Sequence, residues 1–150
     1  MATDQTVTDP EVARHIATFD ELDFEVFSHQ KWDQLPKSHA DDILVYWPDG
    51  HTARGLDKHT DDLKAMFTFA PDTRISDHPV KFGSGEWTCV IGTYEGTFTE
   101  PMQANGKTIQ PTGKPFKIPM CTVGHWKDGV MDAEYLFWDN LAFMQQVGLA

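Results

Sequence analysis

The strongest constraint on the fold is a change of hydrophobic period about halfway along the chain. Apolar side chains recur at steps of three and four in residues 11–27 and again in residues 56–69, which predicts two amphipathic helices. After the Ala70-Pro71-Asp72 break, the chain reads almost entirely as strands separated by glycine-rich turns. Helices followed by a meander of antiparallel strands predict an α+β fold with helices covering one face of a curved sheet.

Local signals place the boundaries of these elements. Asp9-Pro10 predicts the start of the first helix, and Asp139 is predicted to cap a short last helix at residues 140–147. Residues 101–113 are polar and turn-rich, which predicts a loop. Pro36 interrupts a second, short helix at about residues 30–39, and a strand is predicted at residues 43–47. The later strands are predicted at residues 73–82, 86–100, 115–126 and 130–138, with tight turns at Gly83-Ser84-Gly85 and Lys127-Asp128-Gly129.

Length and charge restrict the kind of protein. The 150 residues suit one domain spanning 1–150, and 12 Lys+Arg against 23 Asp+Glu give a net charge of -11. Such a surface repels nucleic acids and anionic membranes, so neither is expected as a partner. The polar start and the lack of a long apolar run predict neither a targeting peptide nor a membrane span, and a cytoplasmic location is expected. Cys89 and Cys121 favour buried thiols in a cytosolic protein, although a disulfide depends on their geometry.

The hairpin around residues 127–129 decides which side chains share a face. A three-residue Lys127-Asp128-Gly129 loop would pair Thr122 with Glu134 and Met120 with Leu136. A two-residue turn at Asp128-Gly129 would instead regroup the faces. In the three-residue register His125 does not share a face with Glu134. The predicted inward face consists of Ile118, Met120, Thr122, Trp126, Asp132, Glu134, Leu136 and Trp138.

The order of several short motifs resembles that of the SnoaL-like polyketide cyclases (ester cyclases) of the NTF2-like superfamily. The motifs that carry the resemblance are His39-Ala40-Asp41-Asp42, Pro48-Asp49-Gly50 before Gly55, Ala70-Pro71-Asp72, Gly92-Thr93-Tyr94-Glu95-Gly96, Pro111-Thr112-Gly113-Lys114, Asp128-Gly129 and Asp139 with Gln145-Gln146-Val147-Gly148-Leu149. The resemblance implies an NTF2-like (cystatin-like) cone with an apolar pocket between helices and sheet. It also implies a homodimer and cofactor-independent acid/base chemistry on a hydrophobic carbonyl compound.

The chain departs from this family at the two positions that matter most. Counting from Asp128-Gly129, the cyclases' catalytic aspartate falls at Leu136 and their histidine at Thr122. Leucine cannot carry a proton, so the resemblance does not carry over the aldol mechanism residue by residue.

Other residues are therefore the candidates for chemistry. Glu134 shares the predicted inward face, where burial is expected to raise its pKa toward that of a general base. His51 and Tyr46 precede Gly55 near the expected cavity mouth and could polarise a substrate oxygen. The residues predicted to bind substrate are Trp47, Tyr94, Met120, Thr122, Trp126, Asp132, Leu136 and Trp138.

The remaining histidine motifs do not predict a metal. The segments His39-Ala-Asp41-Asp42 and His59-Thr-Asp61-Asp62 contain ligand types without a known zinc or calcium spacing, so no metal and no cofactor are expected. The leading function is a polyketide cyclase-like proton-transfer enzyme. The alternatives are an isomerase, dehydratase or epoxide hydrolase of the same fold, or a non-catalytic small-molecule binding protein.

Overall fold

A computed structural model of the chain describes residues 9–150, and it confirms the predicted α+β order. Helix α1 (Pro10–Glu21) begins as predicted, because the Asp9 side chain accepts a hydrogen bond from the backbone N–H of Glu11. It continues without a break into a π-helical segment (Leu22–Phe27). The expected absence of a targeting peptide concerns residues 1–8, which lie outside the described residues.

The other elements agree with the sequence in type and differ in detail. They are a 3-10 helix (Trp32–Lys37), β1 (His39–Tyr46), β2 (Thr52–Arg54), α2 (Leu56–Phe69), β3 (Arg74–Ile75), β4 (Val80–Ser84), β5 (Trp87–Thr97), β6 (Met102–Ala104), β7 (Lys107–Ile109), β8 (Pro115–Lys127), β9 (Val130–Phe137) and α3 (Asn140–Gln146). The predicted strand at residues 73–82 is two strands, and the predicted loop at 101–113 contains the small hairpin β6–β7.

Seven strands form one mixed, mostly antiparallel sheet in the order β2-β1-β9-β8-β5-β3, with β4 also pairing with β5. The pair β1–β9 is parallel, whereas the other pairs in this sheet are antiparallel. Side chains of α1 and α2 join the inward face of the sheet in one apolar core. The parallel pair therefore places the first strand of the chain directly beside the C-terminal hairpin, under the helices.

The β8–β9 hairpin keeps its predicted faces although its turn differs from the prediction. Asp128 and Gly129 both have positive φ, and Lys127 pairs with Val130, so the turn has two residues rather than three. A bulge then shifts the register once more, since Trp126 pairs with Met131 but His125 pairs with Ala133. The two shifts add up to two residues. Side-chain direction repeats every two residues, so Glu134 and Leu136 still face inward.

The bulge corrects one prediction about this hairpin. Asp132 is the extra residue, and its carboxylate contacts the ring of His125 on the outer face, whereas Met131 is fully buried. Asp132 therefore does not belong to the inward face, where the sequence placed it.

The outer face of the sheet carries several exposed aromatic side chains, namely Phe82, Trp87 and Phe137. Cys89 and Cys121 also lie on neighbouring strands of this face as free thiols, with their Sγ atoms 3.7 Å apart. Within residues 9–150, no helix is both long enough and apolar enough to cross a bilayer. The cytoplasmic location stays a prediction.

A chain of charged side chains ties the π-helical segment to the β3–β4 connection. His78 lies with Nε2 2.7 Å from Asp23 Oδ2 and Nδ1 2.7 Å from Asp20 Oδ1, and Lys81 Nζ lies 2.8 Å from Asp20 Oδ2. Burial alone would lower the pKa of His78, but its hydrogen bonds to the two aspartates outweigh that effect and raise the pKa to about 9. His78 is therefore a buried cation at neutral pH.

This cation makes the free energy of unfolding depend on pH. His78 is protonated in both states below about pH 6.5, the pKa of an unfolded histidine, so its stabilising contribution is complete there. The contribution is lost as the pH rises through 6.5 to about 9. The difference in unfolding free energy between wild type and His78→Gln, measured by urea titration, should be larger at pH 6 than at pH 9.5, by on the order of 2 kcal/mol. Comparing the same two proteins at both pH values cancels the packing loss, and an equal difference at both would contradict the account.

Candidate active site

An internal cavity lies between the helices and the inward face of the sheet. The volume not filled by atoms is about 400 Å³, including solvent at the cavity's opening. Within it, the centre of a water molecule can occupy about 30 Å³. Five polar residues line it: Asp23, His39, His59, Thr122 and Glu134. The remaining lining residues are apolar: Phe19, Leu22, Phe27, Leu63, Met66, Ile75, Met120, Leu136 and Trp138. This is the pattern of a small-molecule site, an apolar cavity with a few polar groups.

Glu134 is a carboxylate buried in this cavity between two histidines. It is 4% exposed and pairs across the hairpin with Gly124, where any larger residue would collide with the sulfur of Met131. Its Oε2 lies 3.2 Å from His39 Nε2, and its Oε1 lies 3.5 Å from His59 Nε2. Burying a carboxylate is costly unless a partner offsets its charge, and the two imidazoles are those partners.

Two separate elements deliver the histidines. His39 opens β1 opposite Met131 of β9, and its Nδ1 lies 2.9 Å from Ser38 Oγ and 3.2 Å from the carbonyl of Leu35. His59 lies in α2 on the buried stripe that also contains Leu56 and Leu63. Its two ring nitrogens form no hydrogen bond with any described residue.

The surroundings of Glu134 act opposite to the expectation from sequence. Burial alone would raise its pKa, but the hydrogen bond with His39 and the close approach of the His59 imidazole outweigh this and hold the pKa well below its usual range. The sequence predicted an elevated pKa for Glu134 because the two histidines beside its carboxylate could not be identified from sequence. Glu134 is therefore ionised at neutral pH.

A second acid reaches the same cavity from the opposite side. Asp23 lies in the π-helical segment that follows α1, a local geometry common at functional sites. Burial raises the pKa of Asp23 above its usual range, although the hydrogen bond from His78 opposes the effect, and the negative charge of Glu134 adds to it. Two carboxylates with pKa values displaced in opposite directions thus line one cavity, an arrangement that separates a proton-carrying group from one that stays charged.

The structure brings together only part of the predicted site. Glu134, Met120, Thr122, Leu136 and Trp138 all line the cavity. Thr122 and Leu136 pair directly across the hairpin, so the positions of the cyclases' histidine and aspartate do face the cavity, as the resemblance implied.

Two of the predicted catalytic residues lie elsewhere. Tyr46 is on the outer face, stacked on Tyr135 with ring centroids 4.2 Å apart, because its neighbour Val45 takes the inward position. His51 is an exposed turn residue paired with Asp49. Neither lines the cavity, so the structure does not bring them together with Glu134.

The other predicted ligand-binding residues also lie outside the cavity lining. Trp47 packs beside His59 and Trp138 with ring centroids about 6 Å away, and Tyr94 is buried against Trp138. Trp126 is a core residue whose indole N–H donates to Thr88 Oγ1 at 2.8 Å. Asp132 lies on the outer face because of the bulge described above.

Three polar cavity residues were not identified from the sequence. Asp23 falls four residues after Phe19, and His59 falls three after Leu56, so each continues the buried stripe of its helix. A polar residue within an apolar helical stripe was the available signal for both. His39 gave no comparable signal, because its burial depends on the parallel pairing of β1 with β9.

The His39–Glu134–His59 cluster also has the donor atoms of a metal site. One ring nitrogen from each histidine and one oxygen of Glu134 all lie within 4.8 Å of one another. Without a metal, the same groups form an electrostatic cluster suited to binding a carbonyl oxygen or an enolate, while Asp23 can accept or return a proton across the cavity.

Comparisons with known proteins agree with this architecture. A family model described as SnoaL-like polyketide cyclase matches residues 17–147. No curated protein sequence matches the chain. A proposed SnoaL-like polyketide cyclase from Jannaschia sp. CCS1 superposes with a TM-score of 0.82 at 16% identity, over 95% of this chain and 96% of its own.

Two further solved structures show the range of proteins that share the fold. An NTF2-like protein of unknown function from Burkholderia pseudomallei has a TM-score of 0.72 at 18% identity, over 89% of this chain and 97% of its own. The proposed hydroxylase AclR from Streptomyces galilaeus has a TM-score of 0.76 at 13% identity, over 93% of this chain and 83% of its own. These superpositions establish the NTF2-like fold. The match to the family model spans most of the chain. The chain belongs to the SnoaL-like polyketide cyclase family.

Proposed function

We propose that the protein catalyses proton transfer at the carbon next to the carbonyl group of a small hydrophobic compound. The observation that carries this proposal is the placement of two acids, Asp23 and Glu134, in one apolar cavity, each held by buried histidine. A carbon acid needs a base near its C–H bond and a positive group near its oxygen. The cavity supplies both.

The proposed mechanism gives the two acids different roles. The Asp23 carboxylate removes the proton, because burial strengthens it as a base and His78 fixes its orientation. The electron pair of the broken C–H bond moves to the carbonyl oxygen. There a ring N–H of His59, whose nitrogens have no hydrogen-bond partner among the described residues, donates a hydrogen bond to the enolate. Asp23 then returns the proton to carbon, or the enolate carbon attacks a second carbonyl as in an aldol condensation and Asp23 gives its proton to the alkoxide oxygen that forms.

The second candidate is a non-catalytic small-molecule binding protein. Thr122 and Leu136 favour it, since they occupy the positions at which the resemblance places the cyclases' catalytic histidine and aspartate. The water-accessible space of about 30 Å³ is far below the roughly 300 Å³ or more of typical ligand sites. A bulky ligand enters only if lining side chains move. If the protein is an enzyme, the alternative activities are those of an isomerase, a dehydratase or an epoxide hydrolase. These reactions would use the same acids and differ in the fate of the substrate.

A second copy of the chain is the expected partner. We propose that it covers the outer face of the sheet, where Trp87 is 45% and Phe137 is 52% exposed. Large exposed aromatic groups on one sheet face are typical of interaction surfaces. Light scattering coupled to gel filtration should give twice the chain mass for wild type and a smaller mass for Phe137→Ser. A wild-type mass of a single chain would contradict the proposal.

Replacing Asp23 should abolish the proton transfer. In heavy water, wild type should speed deuterium uptake into activated β-keto esters, and Asp23→Asn should lower the enzymatic rate by about 100-fold or more, the usual contribution of a positioned base. Asp132→Asn is the matched control, because it makes the same change on the outer face. An unchanged rate in Asp23→Asn would remove Asp23 from the mechanism. A wild type without uptake across a broad panel would favour the binding protein.

Replacing Glu134 should weaken the oxygen-binding side of the cavity. Glu134→Gln removes the buried negative charge that positions the two imidazoles, and the exchange rate should fall by on the order of 100-fold, as when an oxyanion-stabilising group is lost. Glu86→Gln is the control, since Glu86 also contacts a histidine but lies on the surface with His125. Circular dichroism of each variant checks folding. Equal exchange by wild type and Glu134→Gln would show that the cluster plays no part.

A further inference from the structure

The buried cluster at the base of the cavity has features that a proton-transfer site does not require. The relevant ligand atoms are Nε2 of His39, Nε2 of His59 and the carboxylate oxygens of Glu134, at contact distances of 3.2 and 3.5 Å. Bonds of about 2.0–2.1 Å to a tetrahedral zinc ion place neighbouring ligand atoms roughly 3.3 Å apart. Both contacts of Glu134 are close to that value, and the three ligand atoms all lie within 4.8 Å of one another.

The contacts of His39 suit a metal-binding imidazole. Its Nδ1 lies 2.9 Å from Ser38 Oγ and 3.2 Å from the carbonyl of Leu35. Its Nε2 lies 3.2 Å from Glu134 Oε2, on the side of the ring that would face an ion. A backbone carbonyl next to the second ring nitrogen is a usual support of a metal-binding histidine.

The second observation comes from His59, which is 1% exposed. Both of its ring nitrogens are buried without a hydrogen-bond partner among the described residues, although Nε2 faces Glu134. A buried polar group without a partner is costly, and native proteins rarely retain one without a reason. A bound ion would give Nε2 the missing partner.

We propose that His39, His59 and Glu134 bind one divalent first-row transition-metal ion, with zinc as the best fit. Two imidazoles and one carboxylate suit zinc, whereas magnesium and calcium prefer sites made of oxygen atoms. Three protein ligands leave one position open, as in catalytic rather than structural zinc sites. The three residues line the cavity, and its water-accessible space of about 30 Å³ has room for a water molecule or a carbonyl oxygen as the fourth ligand.

This inference goes beyond the proposed function and does not depend on it. If the chain also catalyses proton transfer, an ion held by His39, His59 and Glu134 would supply positive charge for the substrate oxygen, and Asp23 would remain the base. The test therefore measures metal binding rather than activity, so each proposal can fail without the other.

The test titrates Zn²⁺ into full-length protein that has been treated with chelator and dialysed. Calorimetry gives the stoichiometry, and competition with a chromophoric indicator gives the affinity. Wild type should bind one equivalent with a dissociation constant below about 1 µM. Glu134→Gln and His59→Gln, which preserve side-chain volume, should weaken binding at least 100-fold. His125→Gln is the matched control, because His125 contacts Asp132 and Glu86 on the outer face and its loss should leave the affinity unchanged.

A second readout does not depend on the variants folding well. Co²⁺ added to wild type should produce the visible absorption of tetrahedral coordination, and an excess of Zn²⁺ but not Mg²⁺ should remove it. No stoichiometric Zn²⁺ binding to wild type would overturn the proposal and leave the cluster as a hydrogen-bonded proton network. Binding that survives Glu134→Gln and His59→Gln but is lost in His125→Gln would also overturn it, by placing the ion on the surface.

Discussion

The charge of Glu134, buried inside an apolar cavity, is the constraint on which the rest of the structure depends. Removing a carboxylate from water costs several kcal/mol, which only close partners can offset. Those partners come from distant parts of the chain, His39 at the start of β1 and His59 in α2. The parallel pairing of β1 with β9 and the packing of α2 over the sheet are thus the same features that make the buried charge tolerable.

The sequence predicted local structure well and long-range contacts poorly. The bounds of α2 and the capped start of α1 follow from periodicity and turn chemistry, which act within a few residues. The inward position of Glu134 was also predicted correctly. That prediction holds only because the shorter turn and the bulge together shift the register by two residues, which preserves side-chain direction. The contacts of Glu134 with His39 and His59 could not be predicted, since they depend on how separate elements pack. The raised pKa expected for Glu134 was wrong for that reason.

Family membership explains the shape of the cavity better than its chemistry. At the positions where the resemblance places the cyclases' histidine and aspartate, this chain has Thr122 and Leu136, which pair across the hairpin and face the cavity. The acid lies two residues earlier at Glu134, a step that keeps it on the same face of the strand. Asp23 supplies a second acid from the helical side. A proposed hydroxylase shares the fold as well, so function has to be argued from the residues of the site.

The most direct test of this account is a carboxyl-carbon NMR titration of chelator-treated protein labelled at aspartate and glutamate, with Asp23→Asn and Glu134→Gln used to assign the two signals. The account predicts that Glu134 stays ionised well below the usual glutamate pKa of about 4.3, whereas Asp23 titrates above the usual aspartate value of about 3.9. Midpoints near those ordinary values for both groups, or a raised pKa for Glu134, would contradict the claim that the cavity holds two acids in opposite environments.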